Sequence, residues 1–200
     1  SLFFYGLFAP KRTDDEWAGQ TTKKSSDSKE DQWFAKLDWY MTDEHSIGFS
    51  AMNNKRTWTT KTYVYDWETN VVGEQQGVDA PGEDGGKVYS LNYNGYLSDT
   101  FSVSAVVGRV QEDVENVVAS TNPGVWDDRN GWTTLSQHTN SSVSEEHYTR
   151  DQARLDFSWD LEEHSIQFGV DYTKVKVDYS SSQNGLGDAQ GWWTIKTAGV

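Results

Sequence analysis

The chain has 200 residues and a formal net charge of −14, with ten Trp, ten Tyr, three Pro and no Cys. The acidic balance argues against a nucleic-acid partner, the lack of Cys excludes disulfides, and the many aromatic residues are atypical of a disordered chain. No run reaches the roughly 18–20 apolar residues of a membrane helix. A mean hydropathy of −0.78 fits a loop-rich soluble β protein or a membrane barrel, in which every second strand residue faces a polar lumen.

The first element, Ser1 to Ala9, is apolar at both odd and even positions. Such a strand suits a barrel wall that has lipid on one face and a plug on the other, and it equally suits a buried strand of a sandwich. The sequence begins inside this run and without Met, so we expect the chain to be part of a longer protein.

Apolar residues with a period of two recur in three pairs of segments further along the chain. Their clearest instance is the series Ala153, Leu155, Phe157 and Trp159, which alternates with polar residues. No window has sustained helical spacing. We therefore predict three β-hairpins, over about residues 32–56, 87–111 and 150–178.

Each predicted hairpin has a very short turn, and the hairpins are separated by long polar segments. The turn sequence around Glu44-His45-Ser46-Ile47 is repeated closely at Glu163-His164-Ser165-Ile166. We interpret four polar segments as loops, namely Lys11–Asp31, Asn70–Gly86, Gln111–Thr149 and Ser180–Gln190. Short turns at one end and long loops at the other are typical of outer-membrane barrels.

These patterns predict an all-β fold: a segment of about seven strands from an antiparallel transmembrane β-barrel, with short periplasmic turns and long extracellular loops. Residues 1–200 would all belong to one barrel domain, with any plug domain and further strands elsewhere. The apolar stripes end in Trp or Tyr, as in the aromatic girdles of barrels. The alternate positions would then face the lumen; they include Lys36, Asp38, Asn92, Asn94, Arg154 and Asp156. A soluble sandwich also alternates in this way and remains an alternative.

The opening Leu2-Phe3-Phe4-Tyr5-Gly6, followed by Phe8, resembles a Leu-Phe-Phe-aromatic-Gly strand found early in the barrel of Oar-like TonB-dependent outer-membrane receptors. The tight turns followed by Ser-Ile or Phe-Ser-Val resemble the periplasmic hairpins of the same family. The resemblance covers about residues 1–60, 87–110 and 150–178. It implies a many-stranded barrel around an N-terminal plug, located in the bacterial outer membrane and coupled to the TonB system.

Candidate sites are few. The repeated pairs Glu44-His45 and Glu163-His164 are explained more simply by turn chemistry than by a metal site, and no catalytic motif is present. We expect neither an enzyme nor a cofactor. Six tryptophans lie in polar segments and are candidates for ligand contact, with packing between loops as the alternative: Trp17, Trp67, Trp126, Trp132, Trp192 and Trp193.

We therefore expect a TonB-dependent transporter in contact with membrane lipid that binds a small molecule, oligosaccharide or peptide through its loops and lumen. One alternative is an outer-membrane barrel that secretes or anchors a surface protein partner. The other is a soluble β-sandwich that binds carbohydrate.

Overall fold

The computed structural model describes residues 1–76, 79–116, 124–129, 133–134, 142–183 and 191–197. Within these ranges the chain forms β-strands, turns and bends, and no helix. No described segment is a helix of the length and apolarity needed to cross a bilayer. The strands are β1 (Leu2–Ala18), β2 (Thr22–Tyr40), β3 (His45–Asn53), β4 (Arg56–Asp66), β5 (Val71–Gln75), β6 (Ala80–Asp84), β7 (Gly86–Ser98), β8 (Phe101–Asn116), β9 (Gly124–Asp127), β10 (Thr133–Thr134), β11 (Ser142–Leu161), β12 (His164–Gln183) and β13 (Trp192–Ile195).

Ten of these strands form one antiparallel sheet. β4 continues the line of β3, and β6 leads into β7, because the pairs Asn53–Lys87 and Arg56–Asp84 keep the same register. The ten strands thus form seven antiparallel passes, each hydrogen-bonded to the next: β1, β2, β3 with β4, β5 with β6 and β7, β8, β11 and β12. β9, β10 and β13 form a separate small sheet, in which β13 runs parallel to β9. The prediction of an all-β, antiparallel fold is confirmed.

Three tight turns lie at the same end of the large sheet. They span residues 41–44, 99–100 and 162–163. Thr42 Oγ1 accepts hydrogen bonds from the backbone N–H groups of Glu44 (3.2 Å) and His45 (3.1 Å), and Glu162 adopts a positive φ of 31°. Side-chain acceptors and a left-handed residue are what short reversals require. The two copies of the repeated sequence thus both reverse the chain, but through turns of different length, four residues at 41–44 and two at 162–163.

The interpretation of Lys11–Asp31 and Asn70–Gly86 as loops is wrong. β1 and β2 run through the first segment and reverse at residues 19–21, while β5 and β6 occupy most of the second. Ion pairs between β1 and β2 join Lys11 to Glu30 (3.2 Å) and Arg12 to Asp31 (2.8 Å). These strands are polar on both faces, so they show no hydrophobic period. The hairpins are accordingly longer than the predicted 32–56, 87–111 and 150–178.

The other two polar segments also begin or end as strand. β8 extends to Asn116, β11 begins at Ser142, and β12 extends to Gln183. The rest of Gln111–Thr149 lies largely outside the described residues, as do residues 184–190 of the last segment.

Opposite residues on paired strands point to the same side of a sheet, so the register assigns every side chain of the large sheet to one of two faces. One level across the sheet reads Phe4, Leu37, Phe49, Leu91, Val107, Ala153 and Tyr172. We call this side the apolar face. Its apolar levels form the apolar band, and with the end that carries the three tight turns taken as the bottom, Phe8 and Trp33 bound the band above and Phe101 and Trp159 bound it below. The opposite side is the polar face.

The large sheet has almost no interior of its own. Among the described residues Ala51 is the only buried hydrophobic residue, and Phe4 (74%), Phe168 (53%) and Leu91 (45%) are exposed. The accessible surface is 13,687 Å², whereas a compact protein of this mass exposes about 9,500 Å². A single layer with an uncovered apolar face needs a covering outside the described residues.

Gly86 lies where β7 passes β8 closely. A Cβ at this position would stand 1.8 Å from the Gln111 carbonyl oxygen, which is backbone and cannot rotate away. We expect Gly86→Ala to lower the free energy of unfolding by about 1–3 kcal/mol, the usual cost of overpacking. Gly6→Ala is the control, since its Cβ meets only the Phe4 ring at 3.4 Å. Denaturant titration of both variants measures the difference, and equal stabilities would contradict the register.

Candidate ligand-binding face

The polar face carries all six residues predicted to face a lumen. Register aligns Asp38 with Gly48 and Asn92 in one level, and Asn94 with Ser104 and Asp156 in the next. Lys36 and Arg154 lie on the same face, as their ion pairs with Asp38 (2.7 Å) and Asp156 (2.7 Å) also require. The sequence pattern therefore grouped these residues on one surface, and whether that surface lines a lumen stays a prediction.

The lower part of this face, near the tight turns, is a dense polar network. The Arg154 guanidinium donates two hydrogen bonds to the Asp156 carboxylate, from Nε (2.7 Å) and Nη2 (3.0 Å). Asp171 accepts from Gln152 Nε2 (3.2 Å) and from Thr173 Oγ1 (3.2 Å). A groove of roughly 750 Å³ lies over these groups. Its charged lining groups are one guanidinium, that of Arg154, and two carboxylates, those of Asp156 and Asp171, so the groove offers hydrogen-bonding groups and a net charge of −1.

The upper part of the polar face holds a second groove of roughly 340 Å³. β1 contributes Asp15 and Trp17, β2 contributes two serines, and β4 contributes Trp58. These strands bring the residues together because Asp15 pairs with Ser26, which in turn pairs with Thr60. The complete lining is Asp15, Trp17, Ser26, Ser28, Arg56, Trp58 and Thr60.

The Trp58 ring is held in place by two neighbours, Gly82 and Arg56. Its indole lies over Gly82 on β6, where a Cβ would stand 2.5 Å from the ring. The Arg56 guanidinium stacks on the other part of the ring, 4.7 Å from its centroid, and its Nη2 lies 3.4 Å from Asp84 Oδ2. Glycine at position 82 is therefore what allows the ring to lie flat against the sheet, and the cation–π contact fixes it there.

The remaining groups of the upper groove are hydrogen-bonding groups. Thr60 Oγ1 donates to Ser26 Oγ (3.2 Å), and Ser28 Oγ donates to the Thr13 carbonyl (3.4 Å). Arg56 Nε is the only covered side-chain donor or acceptor in the described part of the chain that lacks a partner. Two indoles, a carboxylate, a guanidinium and several hydroxyls make a surface that can stack on a ring and hydrogen-bond its polar edge.

The three of the six candidate tryptophans whose side chains the structure describes, Trp17, Trp67 and Trp193, do not form one site. Trp17 lies in strand β1 rather than in a loop, and of these three it alone lines the groove. Trp67 is 59% exposed in the turn between β4 and β5, and Trp193 is 54% exposed on β13. The main chain of Trp126 lies in β9 and that of Trp192 lies in β13, both in the small sheet. Trp132 lies outside the described residues.

Trp58 and Arg56 belong to the groove but were not among the candidates. The alternation of side chains along a strand could have identified them. Every second residue after Gly48 and Ser50 lies on the same face, and Arg56 and Trp58 are in that series. The repeated Glu-His pairs do not come together: they lie at turns of different hairpins, with β7 and β8 between them. Within the described ranges no group of three or more His, Asp or Glu side chains is arranged to hold a metal ion.

His147 on β11 links two passes above the apolar band. Its Nδ1 lies 2.8 Å from Asp113 Oδ1, and this hydrogen bond raises the pKa of His147 above its usual 6.5. A raised folded pKa means that the pair stabilises the fold fully below about pH 6.5 and loses its effect as pH rises through the higher value. We expect the stability difference between wild type and His147→Gln to shrink over that interval. Titration of the His147 ring by NMR measures the pKa, and Asp113→Asn is expected to return it to the usual range.

Comparison with known proteins gives no relative: no family model, curated protein or solved structure matches the chain.

Proposed function

We propose that the large sheet is part of the wall of an outer-membrane β-barrel, and that the protein is a TonB-dependent receptor that takes up a polar ligand. The observation that carries this proposal is the apolar band, which descends across the sheet in step with the tight turns. In a barrel the strands are tilted, so a belt that is level with the membrane must cross the strands obliquely.

The turns supply the first measure of this tilt. His45, the first residue of β3, is opposite Gly95, and β7 continues from there to Ser98. Phe101 is opposite Trp159, and β11 continues to Leu161. Each hairpin therefore extends two or three residues beyond the previous one, or about one residue per strand. With a rise of about 3.3 Å per residue and strands about 4.8 Å apart, this corresponds to a tilt of about 35°.

The upper edge of the apolar band descends in the same direction. The edge lies at Phe8 on β1 and at Tyr172 on β12. Following the strand register across the sheet from Phe8 leads to Lys176 on β12, four residues above Tyr172. The edge thus falls by four residues over six strand spacings, a slope of about 25°. Barrel strands are tilted by roughly 35–45°. Soluble barrels have the same stagger, so the slope supports a barrel wall, and the exposed apolar band with its aromatic borders supports a membrane location for that wall.

The height and borders of the band also fit a bilayer. On β12 four outward positions, Ile166 to Tyr172, are apolar, which spans about 20 Å between the first and last side chains. Aromatic side chains occupy its borders, including Trp39 and Trp159 at the turn end and Trp33 and Tyr172 at the other. Barrels have an apolar belt of about 25 Å between two aromatic girdles.

Receptor function is proposed from the polar face and from the resemblance of the opening strand and the turns. The groove between Trp17 and Trp58 lies on the side that would face the lumen, above the membrane level. Its stacking surfaces and hydroxyls suit an oligosaccharide better than a fully apolar molecule. The sandwich alternative requires a second sheet over the apolar face, and among the described residues the small sheet shares no strand pairing with the large one. No observation specifically supports a secretion or anchoring role.

Detergent dependence tests the barrel. We expect the protein to be monodisperse only in detergent or lipid, and to migrate differently on electrophoresis before and after heating. A monodisperse, detergent-free protein would overturn the membrane proposal. Uptake of a labelled oligosaccharide by cells with and without a functional TonB system tests the receptor. Uptake that does not depend on TonB would leave the barrel and remove the energy-coupled role.

A further inference from the structure

Basic residues are concentrated at one level of the apolar face, directly above the apolar band. We call the side chains on the apolar face outward. On each of the seven passes we consider the first two outward positions beyond the apolar band, on the side away from the tight turns. Among these fourteen positions seven are Lys or Arg and two are acidic. The seven, which we call the basic belt, are Arg12, Lys29, Lys55, Lys87, Arg109, Lys174 and Lys176.

The next level up has the opposite charge. The third outward positions include five acidic residues and no Lys or Arg; the acidic residues are Asp14, Asp27, Glu83, Asp113 and Asp178. The chain as a whole carries −14. A net positive level between an apolar band and an acidic level is therefore a local arrangement and does not follow from composition.

The opposite border of the band has no such belt. Residues 40–46, 96–101 and 160–165, which form or flank the tight turns, contain acidic residues and neither Lys nor Arg. The charge asymmetry distinguishes the two borders, so it distinguishes the two leaflets of any membrane that covers the band.

Ion pairs within the described part of the chain involve five of the seven belt residues. Two of these pairs reach the acidic level above, Lys55 with Glu83 (2.6 Å) and Lys176 with Asp178 (2.5 Å). Arg12 and Lys29 share one carboxylate, that of Asp31, at 2.8 and 2.9 Å. Lys87 and Lys174 are exposed and form no ion pair with any residue that the structure describes. Arg109 is paired with Asp151 (2.6 Å), yet half of its side chain stays exposed.

We propose that the basic belt binds the phosphate groups of a phosphorylated glycolipid in the outer leaflet, with its acyl chains on the apolar band below. The inference rests on the proposed membrane location. The shape of the belt favours lipid phosphate over free phosphate. The belt follows the border of the apolar band over six of the seven passes, whereas a site for a free phosphate would be one compact cluster. Lys and Arg at this height pair with phosphate oxygens and attract an anionic surface within a Debye length.

The test uses the full protein in nanodiscs of zwitterionic phospholipid to which a diphosphorylated lipid A is added. A variant with Lys87, Arg109, Lys174 and Lys176 replaced by Gln removes four belt charges. Its control replaces Lys11, Lys23, Lys24 and Lys61 by Gln, an equal change of charge away from the belt. Native mass spectrometry of lipids released from the discs measures retained lipid A, and arms with dephosphorylated lipid A and with inorganic phosphate separate the sources of the ligand.

We expect wild type and control to retain diphosphorylated lipid A at least 10-fold better than the belt variant, with the difference decreasing at high salt. Dephosphorylated lipid A is expected to show no such preference, and inorganic phosphate no measurable binding. Equal retention by all three proteins in intact discs would overturn the belt proposal while leaving the barrel. Saturable binding of inorganic phosphate would assign the belt to a soluble anion instead. Failure to enter the discs at all would overturn the membrane location itself.

Discussion

Leu91→Arg is expected to lower the free energy of unfolding by about 2–4 kcal/mol when the protein is embedded in a bilayer. Leu91 lies near the middle of the apolar band, between Phe49 on β3 and Val107 on β8, and 45% of it is exposed. If water covered this face, a charged side chain at so open a position would change stability by only about 0.5 kcal/mol. The size of the effect therefore measures what covers the apolar face.

The matched control is the adjacent residue on the other side of the same strand. Asn92→Arg introduces the same charge on the polar face, where Asn92 lies level with Gly48 and Val106. We expect its effect on the free energy of unfolding to stay within about 0.5 kcal/mol, since the new charge can remain hydrated. Urea titration of both variants in lipid vesicles makes the comparison. Equal costs at positions 91 and 92 would mean that the two faces have the same environment, contrary to the proposal.

The sequence predicted the lower half of the sheet well because that half has a strong contrast between its faces. Leu37, Leu91 and Leu155 alternate with charged or amide side chains, so the period of two is visible and assigns each residue a face. The turns were equally legible, because an acidic pair before His-Ser-Ile is short, polar and repeated. Local pattern and final structure agree where one face of the sheet is apolar and the other is polar.

The strands within residues 11–31 and 70–86 of the upper half were missed for the same physical reason. Once both faces of a strand are polar, its side chains carry no hydrophobic period, and Lys, Asp, Ser and Thr resemble a loop. What makes 11–31 a strand is pairing between β1 and β2 along their whole length, including ion pairs such as Arg12–Asp31, and these contacts are not local in sequence. The placement of Trp17 and Trp58 in one groove depends on that pairing and was therefore out of reach.

Removing the Trp58 indole is expected to have the largest effect on ligand binding. In the upper groove this ring is fixed by Gly82 beneath it and by Arg56 upon it, so it is a preformed stacking surface. Aromatic anchors of this kind typically contribute about 1.5–3 kcal/mol. Trp58→Ala should thus weaken oligosaccharide binding about 10- to 100-fold, whereas Trp58→Phe should retain part of the affinity.

Trp67→Ala is the matched control, because Trp67 is an exposed tryptophan in the turn between β4 and β5 and does not line the groove. A second variant, Gly82→Val, keeps the indole but pushes it off the sheet, since its Cβ would stand 2.5 Å from the ring. Calorimetry with a panel of neutral hexasaccharides, and with a panel of hexapeptides for comparison, measures affinity. Loss of saccharide binding in Trp58→Ala and Gly82→Val but not in Trp67→Ala would mean that affinity depends on where the ring lies, not on the number of tryptophans. Unchanged saccharide affinity in folded Trp58→Ala, or binding of peptides alone, would assign the ligand to another part of the polar face.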